Sequence, residues 1–276
     1  MILVTGATGT TGSALVRALL TRGEEVTAMT RDPAKVARRP GLTATTEIGK
    51  ADAIFLLAPP GPGIPASDRA MLRAAQAAGI PRVVKLSAIG TPDSGTRRAE
   101  PGDPTTMPGG WHLPGESAVR DSGLAWTILR PTTFASNTYA WVADIRAGRP
   151  IANVYGDGKQ GVVDPEDVAA VAAEALIGAE HDGRTYTLTG PDLLSVPDQA
   201  AQLAEVLGTE VTTVDVPPEQ ARATFPPAIA DVAMAGAALV RRGGNAVVTG
   251  DVAGVLGRPP GTFRAWAEAN RGRFLT

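Results

Sequence analysis

Three glycines near the N-terminus, Gly6, Gly9 and Gly12, lie between a short apolar run and an amphipathic stretch, and this arrangement predicts a phosphate-binding turn. Gly6 permits a tight turn out of a strand, Gly9 lets the backbone approach a diphosphate, and Gly12 lets the next helix pack closely on the sheet. Free amides at the start of that helix attract phosphate oxygens. Neighbouring hydroxyls supply further donors, those of Thr8, Thr10 and Thr11.

The end of the second apolar run predicts which dinucleotide is bound. An acid at this place would accept hydrogen bonds from the ribose hydroxyls and would repel a 2′-phosphate. The sequence instead has Thr30 followed by Arg31, with Lys35 placed to assist. Because a guanidinium binds phosphate through paired hydrogen bonds, the sequence predicts NADP(H) rather than NAD(H).

Composition excludes several other kinds of chemistry. The chain has no cysteine, which removes disulfides, thiolate catalysis and cysteine-based metal sites. With His112 and His181 as its two histidines, no metal site is predicted. The net charge of -2 gives no general attraction to nucleic acid or to an anionic membrane. No basic leader or apolar span of about 18 residues occurs, so we expect a cytoplasmic protein acting on a small molecule.

Strands and helices alternate through the first half of the chain, and this pattern predicts a doubly wound parallel sheet. Strands are predicted at Ile2–Val4, Val26–Met29, Ala53–Ala58, Arg82–Ser87 and Ala125–Leu129, with helices at Thr10–Arg22, Ala66–Ala78 and Trp111–Ser122. The interval between Arg31 and Ala53 holds at most a stub helix at Asp32–Arg39 and a strand at Leu42–Thr46. It is too short for a full crossover helix.

Gly90–Gly110 is rich in Pro, Gly, Asp and Thr and lacks periodicity. It follows the carboxyl end of a predicted strand, where open α/β sheets bind ligands. A long irregular loop at this place favours a substrate-covering segment over a passive insertion.

The second half predicts a smaller α/β unit on the substrate side. Asp164 and Pro165 begin a helix, as N-cap and first helical residue, and Arg184–Thr189 alternates as a strand. We assign residues 1–150 to the Rossmann domain and 151–276 to the smaller domain, part of which returns to the sheet. The helix at Pro226–Arg241 packs on its own domain or on a second copy, so a homodimer is possible.

Several motifs together resemble the NmrA-like branch of the atypical short-chain dehydrogenase/reductase superfamily. They cover nearly the whole chain: Val4–Gly9, Thr30–Pro33, Val84–Ala88, Ser122–Leu124, Thr127–Pro131, Phe134 with Asn137, Val163–Ala169 and Tyr186–Pro191. The resemblance implies an NAD(P)H-binding fold. Its members include quinone and isoflavone-type reductases as well as redox sensors that bind NADP(H) without turnover.

The resemblance also implies site residues. Ala58, Pro59 and Pro131 fall in the cofactor site, and Trp111, Phe134 and Asn137 in the substrate pocket. Ser87 matches the position where relatives keep a Ser or Thr near the nicotinamide, and Lys85 points the same way in the strand.

One departure from the family concerns proton transfer. Where active relatives of the wider superfamily have Tyr-x-x-x-Lys, this chain has His112-Leu113-Pro114-Gly115-Glu116. The candidate catalytic residues are therefore His112, Ser87 and Lys85. His112 is expected to donate a proton near neutral pH, and Glu116 is placed to orient it or raise its pKa.

Two functions fit these residues. The first is an NADPH-dependent reductase that passes hydride to an electron-poor carbonyl, quinone or enone. The second is a non-catalytic NADP(H) sensor acting through a protein partner, which needs no proton donor. An isomerase is disfavoured by the missing tyrosine, and a serine hydrolase by the lack of a G-x-S-x-G elbow.

Overall fold

A parallel sheet of seven strands forms the centre of the molecule. The structure is a computed structural model, which describes residues 1–59, 61–91, 109–223 and 225–275. The strands of the sheet are β1 (Ile2–Thr5), β2 (Val26–Met29), β3 (Leu42–Thr45), β4 (Ala53–Leu56), β5 (Arg82–Leu86), β6 (Ala125–Pro131) and β10 (Arg184–Leu188). Their order is β3-β2-β1-β4-β5-β6-β10 and all neighbours are parallel. This is the order of a doubly wound dinucleotide-binding sheet, which confirms the predicted fold class.

Helices cover both faces of the sheet: α1 (Thr10–Thr21) and α5 (Pro165–Ile177) on one, α2 (Ile64–Ala77) and α3 (Leu113–Arg120) on the other. Alternation along β1 explains how one strand serves both layers. Ile2 and Val4 pack with α1 and α5, whereas Leu3 packs with α2 and α3. The uninterrupted apolar run of β1 therefore follows from burial on both sides.

The connection from β2 to β3 lacks a crossover helix, as predicted. Residues 30–41 contain one 3₁₀ turn, Pro33–Lys35, and not the stub helix expected at Asp32–Arg39. The reason is length, because the chain must return to the amino edge of the sheet by Gly41, whose carbonyl accepts a hydrogen bond from the Val26 N–H at 2.8 Å. The next connection, residues 46–52, is also irregular, and Ile48 and Ala51 pack on the α2 side.

The helix predicted at Trp111–Ser122 is shorter than expected. It starts as a 3₁₀ turn, Gly110–His112, and becomes α3 at Leu113. Pro114 explains the boundary, because a proline fits the first turn of a helix and cannot donate within it. Of the predicted substrate-covering loop, residues 92–108 lie outside the described part of the chain.

The start of α5 follows the sequence prediction. Asp164 caps the helix, since its Oδ1 accepts the Glu166 N–H at 2.8 Å, and Pro165 is the first helical residue. Strand β10 belongs to the central sheet and α5 packs on one face of it, although both lie beyond residue 150. The proposed domain boundary at residue 151 stays a prediction.

Smaller elements pack beside the carboxyl edge of the sheet. Strands β7 (Thr133–Phe134), β9 (Gln160–Val163) and β11 (Leu193–Leu194) form one small sheet, and β8 (Ile151–Asn153) pairs with β12 (Thr213–Asp215). The helices are α4 (Val142–Arg146), α6 (Val196–Leu207), α7 (Pro218–Arg222), α8 (Pro227–Arg241), α9 (Asp251–Leu256), α10 (Phe263–Ala269) and α11 (Arg271–Leu275).

Aromatic residues build the second core. Trp266 contacts Phe263, Phe274 and Tyr139 with ring centroids 5.2–6.1 Å apart. Within the described ranges, no helix has the length and apolar character needed to cross a membrane.

The packing of α1 predicts a stability effect. Leu15 is fully buried between α1 and the sheet, so Leu15→Ala is expected to lower the free energy of unfolding by about 2–5 kcal/mol. Val214→Ala, at a side chain that is 50% exposed, is the control and should change it by less than about 0.5 kcal/mol. Urea unfolding measures both, and equal effects would contradict the assigned core.

Candidate functional site

The glycine turn between β1 and α1 has the close approach that a phosphate-binding turn requires. Gly6 has a φ of +64°, in the region that favours glycine. A Cβ on Gly12 would lie 2.0 Å from the Gly6 carbonyl oxygen, so any side chain there would push α1 away. Gly9 is exposed and its N–H donates to Gly6 O at 3.0 Å.

The first turn of α1 offers unsatisfied amides. Gly9 is the N-cap and no side chain caps the helix, so the N–H groups of Thr10, Thr11 and Gly12 have no acceptor within the helix. Thr8 and Thr10 are exposed, whereas Thr11 is buried. The turn therefore fits a diphosphate, with amides and hydroxyls as donors.

A threonine fixes this turn relative to the next strand of the sheet. The Thr5 hydroxyl donates to Phe55 O at 2.8 Å and accepts the Leu57 N–H at 2.8 Å. This pair of bonds ties the end of β1 to the segment after β4, where Ala58 is buried and Pro59 is exposed. Ala58 and Pro59 thus lie at the same carboxyl edge of the sheet as the glycine turn.

The end of β2 presents cationic side chains at that edge. Thr30 is half-buried, and its Oγ1 accepts the Asp32 N–H at 3.3 Å. Arg31 is exposed. Lys35 is also exposed but forms an ion pair with Asp32 at 3.4 Å, an acid whose proximity the sequence reasoning did not weigh. The role of Arg31 toward an added phosphoryl group stays a prediction.

A buried ion pair lies beneath the carboxyl end of β5. Lys85 Nζ donates to Asp68 Oδ2 of α2 at 2.6 Å, and both side chains are at most 1% exposed. Burial raises the pKa of Asp68 and lowers that of Lys85, and each charge partly offsets the shift of the other. A Cβ on Gly115 would lie 2.1 Å from Asp68 Oδ2, so glycine is needed where α3 passes this pair.

Ser87 belongs to a second buried polar group. Its hydroxyl donates to Glu116 Oε1 at 2.5 Å. Arg130 holds the same carboxylate from β6, with Nε to Oε1 at 2.9 Å and Nη2 to Oε2, and Arg120 Nη2 donates to Oε2 at 3.0 Å. Glu116 is fully buried. The prediction that Glu116 pairs with His112 is wrong in this respect, because its oxygens are taken by Ser87 and the two arginines.

His112 lies beside this site, near Lys85. Burial lowers its pKa to about 3, and the nearby positive charge of Lys85 acts in the same direction. A pKa lowered this far favours the neutral imidazole at pH 7 and disfavours an imidazolium donor, and the catalytic role of His112 stays a prediction. Its Nδ1 is buried without a hydrogen-bond partner among the described residues, as is Asp68 Oδ1.

The predicted substrate residues are distributed along the same edge. Ile89 N–H donates to Pro131 O at 3.0 Å, so the chain after β5 stays paired with the last residue of β6 and holds Pro131 near Ser87. Trp111 and Phe134 are half-buried, Phe134 against the α1–α5 core. Asn137 is exposed in a 3₁₀ turn, so its assignment to a pocket stays a prediction.

Sequence reasoning missed Asp68 and Arg130 as site residues. The signal was present, because Arg130 and Lys85 interrupt otherwise apolar strand sequences, and a charge in a buried strand needs a partner. Asp68 faces inward from a helix whose other buried side chains are apolar. The sequence alone did not show which charges pair.

Comparison with known proteins agrees with this geometry. Residues 6–177 match a family described as NAD(P)H-binding. A (4-alkanoyl-5-oxo-2,5-dihydrofuran-3-yl)methyl phosphate reductase of Streptomyces griseus subsp. griseus is 36% identical over 99% of both chains. An NAD(P)H azoreductase of Xenophilus azovorans is 32% identical, again over 99% of both.

Solved structures share the fold. An NADPH-dependent quinone oxidoreductase of Escherichia coli, solved with NADPH, has a TM-score of 0.81 at 24% identity over 98% of this chain and 99% of its own. Triphenylmethane reductase of Citrobacter sp. has the same TM-score at 19% identity and the same coverage. The matched family and the two reductases at 36% and 32% identity confirm the family resemblance. The chain belongs to the NAD(P)H-binding family and is an NAD(P)H-dependent oxidoreductase.

Proposed function

We propose that the protein uses NADPH to reduce a small electron-poor acceptor, a quinone or an enone. The observation that carries this proposal is that His112, beside the buried Lys85, has its Nδ1 buried without a hydrogen-bond partner among the described residues, and burial lowers its pKa to about 3. Hydride addition to a simple ketone produces an alkoxide, which needs a strong proton donor in the transition state. Addition to a quinone or an enone produces a delocalised anion, which needs less help. A site without an imidazolium suits the second class.

The relatives support an unsaturated, polarised acceptor. Their names describe the reduction of a butenolide phosphate, an azo compound and a quinone. In each case the electrons enter a conjugated system.

Each part of the site has a distinct task in the proposed reaction. The amides of Thr10, Thr11 and Gly12 hold the diphosphate, and bound NADPH supplies the hydride. Trp111 and Phe134 contribute apolar surface against which a flat acceptor packs and water is excluded. The neutral His112 offers an N–H that can polarise the acceptor oxygen without transferring charge first. Burial of His112, and after it the nearby charge of Lys85, which Asp68 holds, favour the unprotonated imidazole.

The preference for NADPH rests on Arg31, the exposed cation at the end of β2. Lys35 contributes less because Asp32 already binds it. A phosphate bound by a guanidinium gains charge-assisted hydrogen bonds that a ribose hydroxyl does not provide.

Acceptor choice tests the proposed reaction. NADPH oxidation should be faster with quinones and enones than with saturated ketones of similar size, by at least about tenfold in kcat/KM, because the ketone needs the missing acid. Steady-state rates across matched pairs of acceptors measure the ratio. Binding of NADPH without turnover on every acceptor would contradict the proposal and favour a sensor.

Cofactor choice tests Arg31. We expect Arg31→Ala to weaken NADPH binding by about 10- to 100-fold, the loss of charge-assisted hydrogen bonds, while NADH binding stays unchanged. Arg242→Ala, at an exposed arginine after α8, is the control. Calorimetric titration with both cofactors gives the ratio, and an equal loss for NADPH and NADH would contradict the role of Arg31.

The pH dependence tests the state of His112. A histidine with a pKa of about 3 is already deprotonated at pH 5, so kcat/KM should show no fall between pH 6 and 8 from loss of its proton. His112→Gln keeps an N–H donor and should retain activity within about threefold, whereas His112→Ala should lose about tenfold. A wild-type rate that falls with a midpoint near 6.5, and that His112→Gln makes pH-independent, would establish an imidazolium acid instead.

A further inference from the structure

The hydroxyl of Ser87 has its proton committed to the protein. Ser87 donates to Glu116 Oε1 at 2.5 Å, and a carboxylate offers acceptors only. A hydroxyl has one proton and two lone pairs, so while this bond is held Ser87 Oγ can accept a hydrogen bond but cannot donate another.

The neighbouring hydroxyl is committed in the same way. Thr91 Oγ1 lies 3.5 Å from Ser87 Oγ and donates to Ala88 O at 2.9 Å. Thr91 therefore does not supply a proton to Ser87. The lone pairs of Ser87 are left for a donor from outside this pair of hydroxyls.

Glu116 is held so that this arrangement is fixed. Arg130 binds both of its oxygens and Arg120 binds Oε2. Glu116 and Arg130 are at most 2% exposed, so water does not compete for the carboxylate. A buried, paired carboxylate with two guanidinium partners does not release its acceptor oxygen easily.

We propose that the buried Arg130–Glu116 pair sets Ser87 as a hydrogen-bond acceptor in the site, and that the donor it receives is the carboxamide N–H₂ of the nicotinamide. Glu116 and Arg130 are then positioning residues, and Ser87 is the contact. The inference rests on the proposed function only in that a nicotinamide cofactor binds at the carboxyl edge where Ser87 lies. It gives Ser87 a hydrogen bond to the cofactor in place of the catalytic role that the sequence suggested.

The carboxamide is chosen as the donor because the cofactor is the one molecule that every turnover brings into the site. A carboxamide N–H₂ comes with every cofactor molecule, whereas a quinone or an enone need not carry an N–H or O–H. An oxygen that can only accept also rejects a ligand carbonyl at the same place, since two acceptors leave one group unsatisfied. Ser87 would thereby fix which way the carboxamide, and with it the ring, is turned.

The test compares NADP⁺ with its acetylpyridine analogue, in which a methyl group replaces the amide N–H₂. Calorimetric titration without any acceptor should show wild-type protein binding NADP⁺ about five- to tenfold more tightly, the value of one neutral hydrogen bond. In Ser87→Ala this preference should disappear, with the analogue binding as it does to wild type. Ser117→Ala, an exposed serine next to Glu116, is the control and should keep the preference.

Glu116→Gln tests the positioning residues. Its amide can donate to Ser87 Oγ and free the serine proton, so the preference for NADP⁺ should fall to about twofold or less. If this variant unfolds because Arg130 loses its partner, Ser87→Ala still decides the outcome.

Two results would overturn the proposal. One is a preference for NADP⁺ that persists in Ser87→Ala, which places the carboxamide contact elsewhere. The other is equal binding of the two ligands to wild type together with a higher KM of Ser87→Ala for hydroxylated quinones only, which assigns the lone pairs to the acceptor molecule. Neither result depends on which acceptor class is reduced, so failure here is distinguishable from failure of the proposed reaction.

Discussion

The approach of α1 to the end of β1 is the constraint on which the site depends. The backbone at Gly12 comes so close to Gly6 that a Cβ would lie 2.0 Å from a carbonyl oxygen. This contact sets where the unsatisfied amides of the helix point and how α1 seats against α5 and the sheet. One requirement thus serves packing and ligand binding together. Two hydrogen bonds of the Thr5 hydroxyl tie the end of β1 to β4 and to the residue that follows it, so the glycine turn and the edge of the sheet are held together.

The part of the site at β5 and β6 depends on charged side chains, whereas the glycine turn depends on backbone groups. Lys85 with Asp68 and Glu116 with Arg130 place four ionisable side chains at nearly zero exposure. Such pairs bring little net stability compared with apolar packing. We infer that their role is to hold charges and protons at defined places in the site. The first pair keeps a positive charge beside His112, and the second directs the Ser87 proton. Both act on the protonation of groups at the site, where a low dielectric makes each charge effective.

Sequence patterns predicted the sheet, its strand positions and the glycine turn, because each follows from local rules of periodicity, capping and glycine geometry. The missing helix after β2 followed from chain length alone. The protonation state of His112 did not follow from the sequence, since it depends on burial and on Lys85, which the fold brings close to the imidazole. The partner of Glu116 was missed for the same reason. His112 is four residues away in sequence, but Arg130 reaches the carboxylate from a neighbouring strand. Charge pairing across elements is a tertiary property that spacing does not encode.

The two buried groups restrict the chemistry in the same direction. Burial lowers the pKa of His112 to about 3, and the Ser87 hydroxyl donates to Glu116, so both features disfavour a strong acid at hydride transfer in the proposed reaction. Catalysis must then come from orientation, which is worth a large part of a barrier when the reacting atoms are held in line. In the proposed reaction the acceptor spreads the incoming negative charge over its own conjugated system. A site that orients without protonating is therefore selective through the electronic structure of its substrate. The same restriction explains how the chain can do without the tyrosine and lysine pair of its wider superfamily.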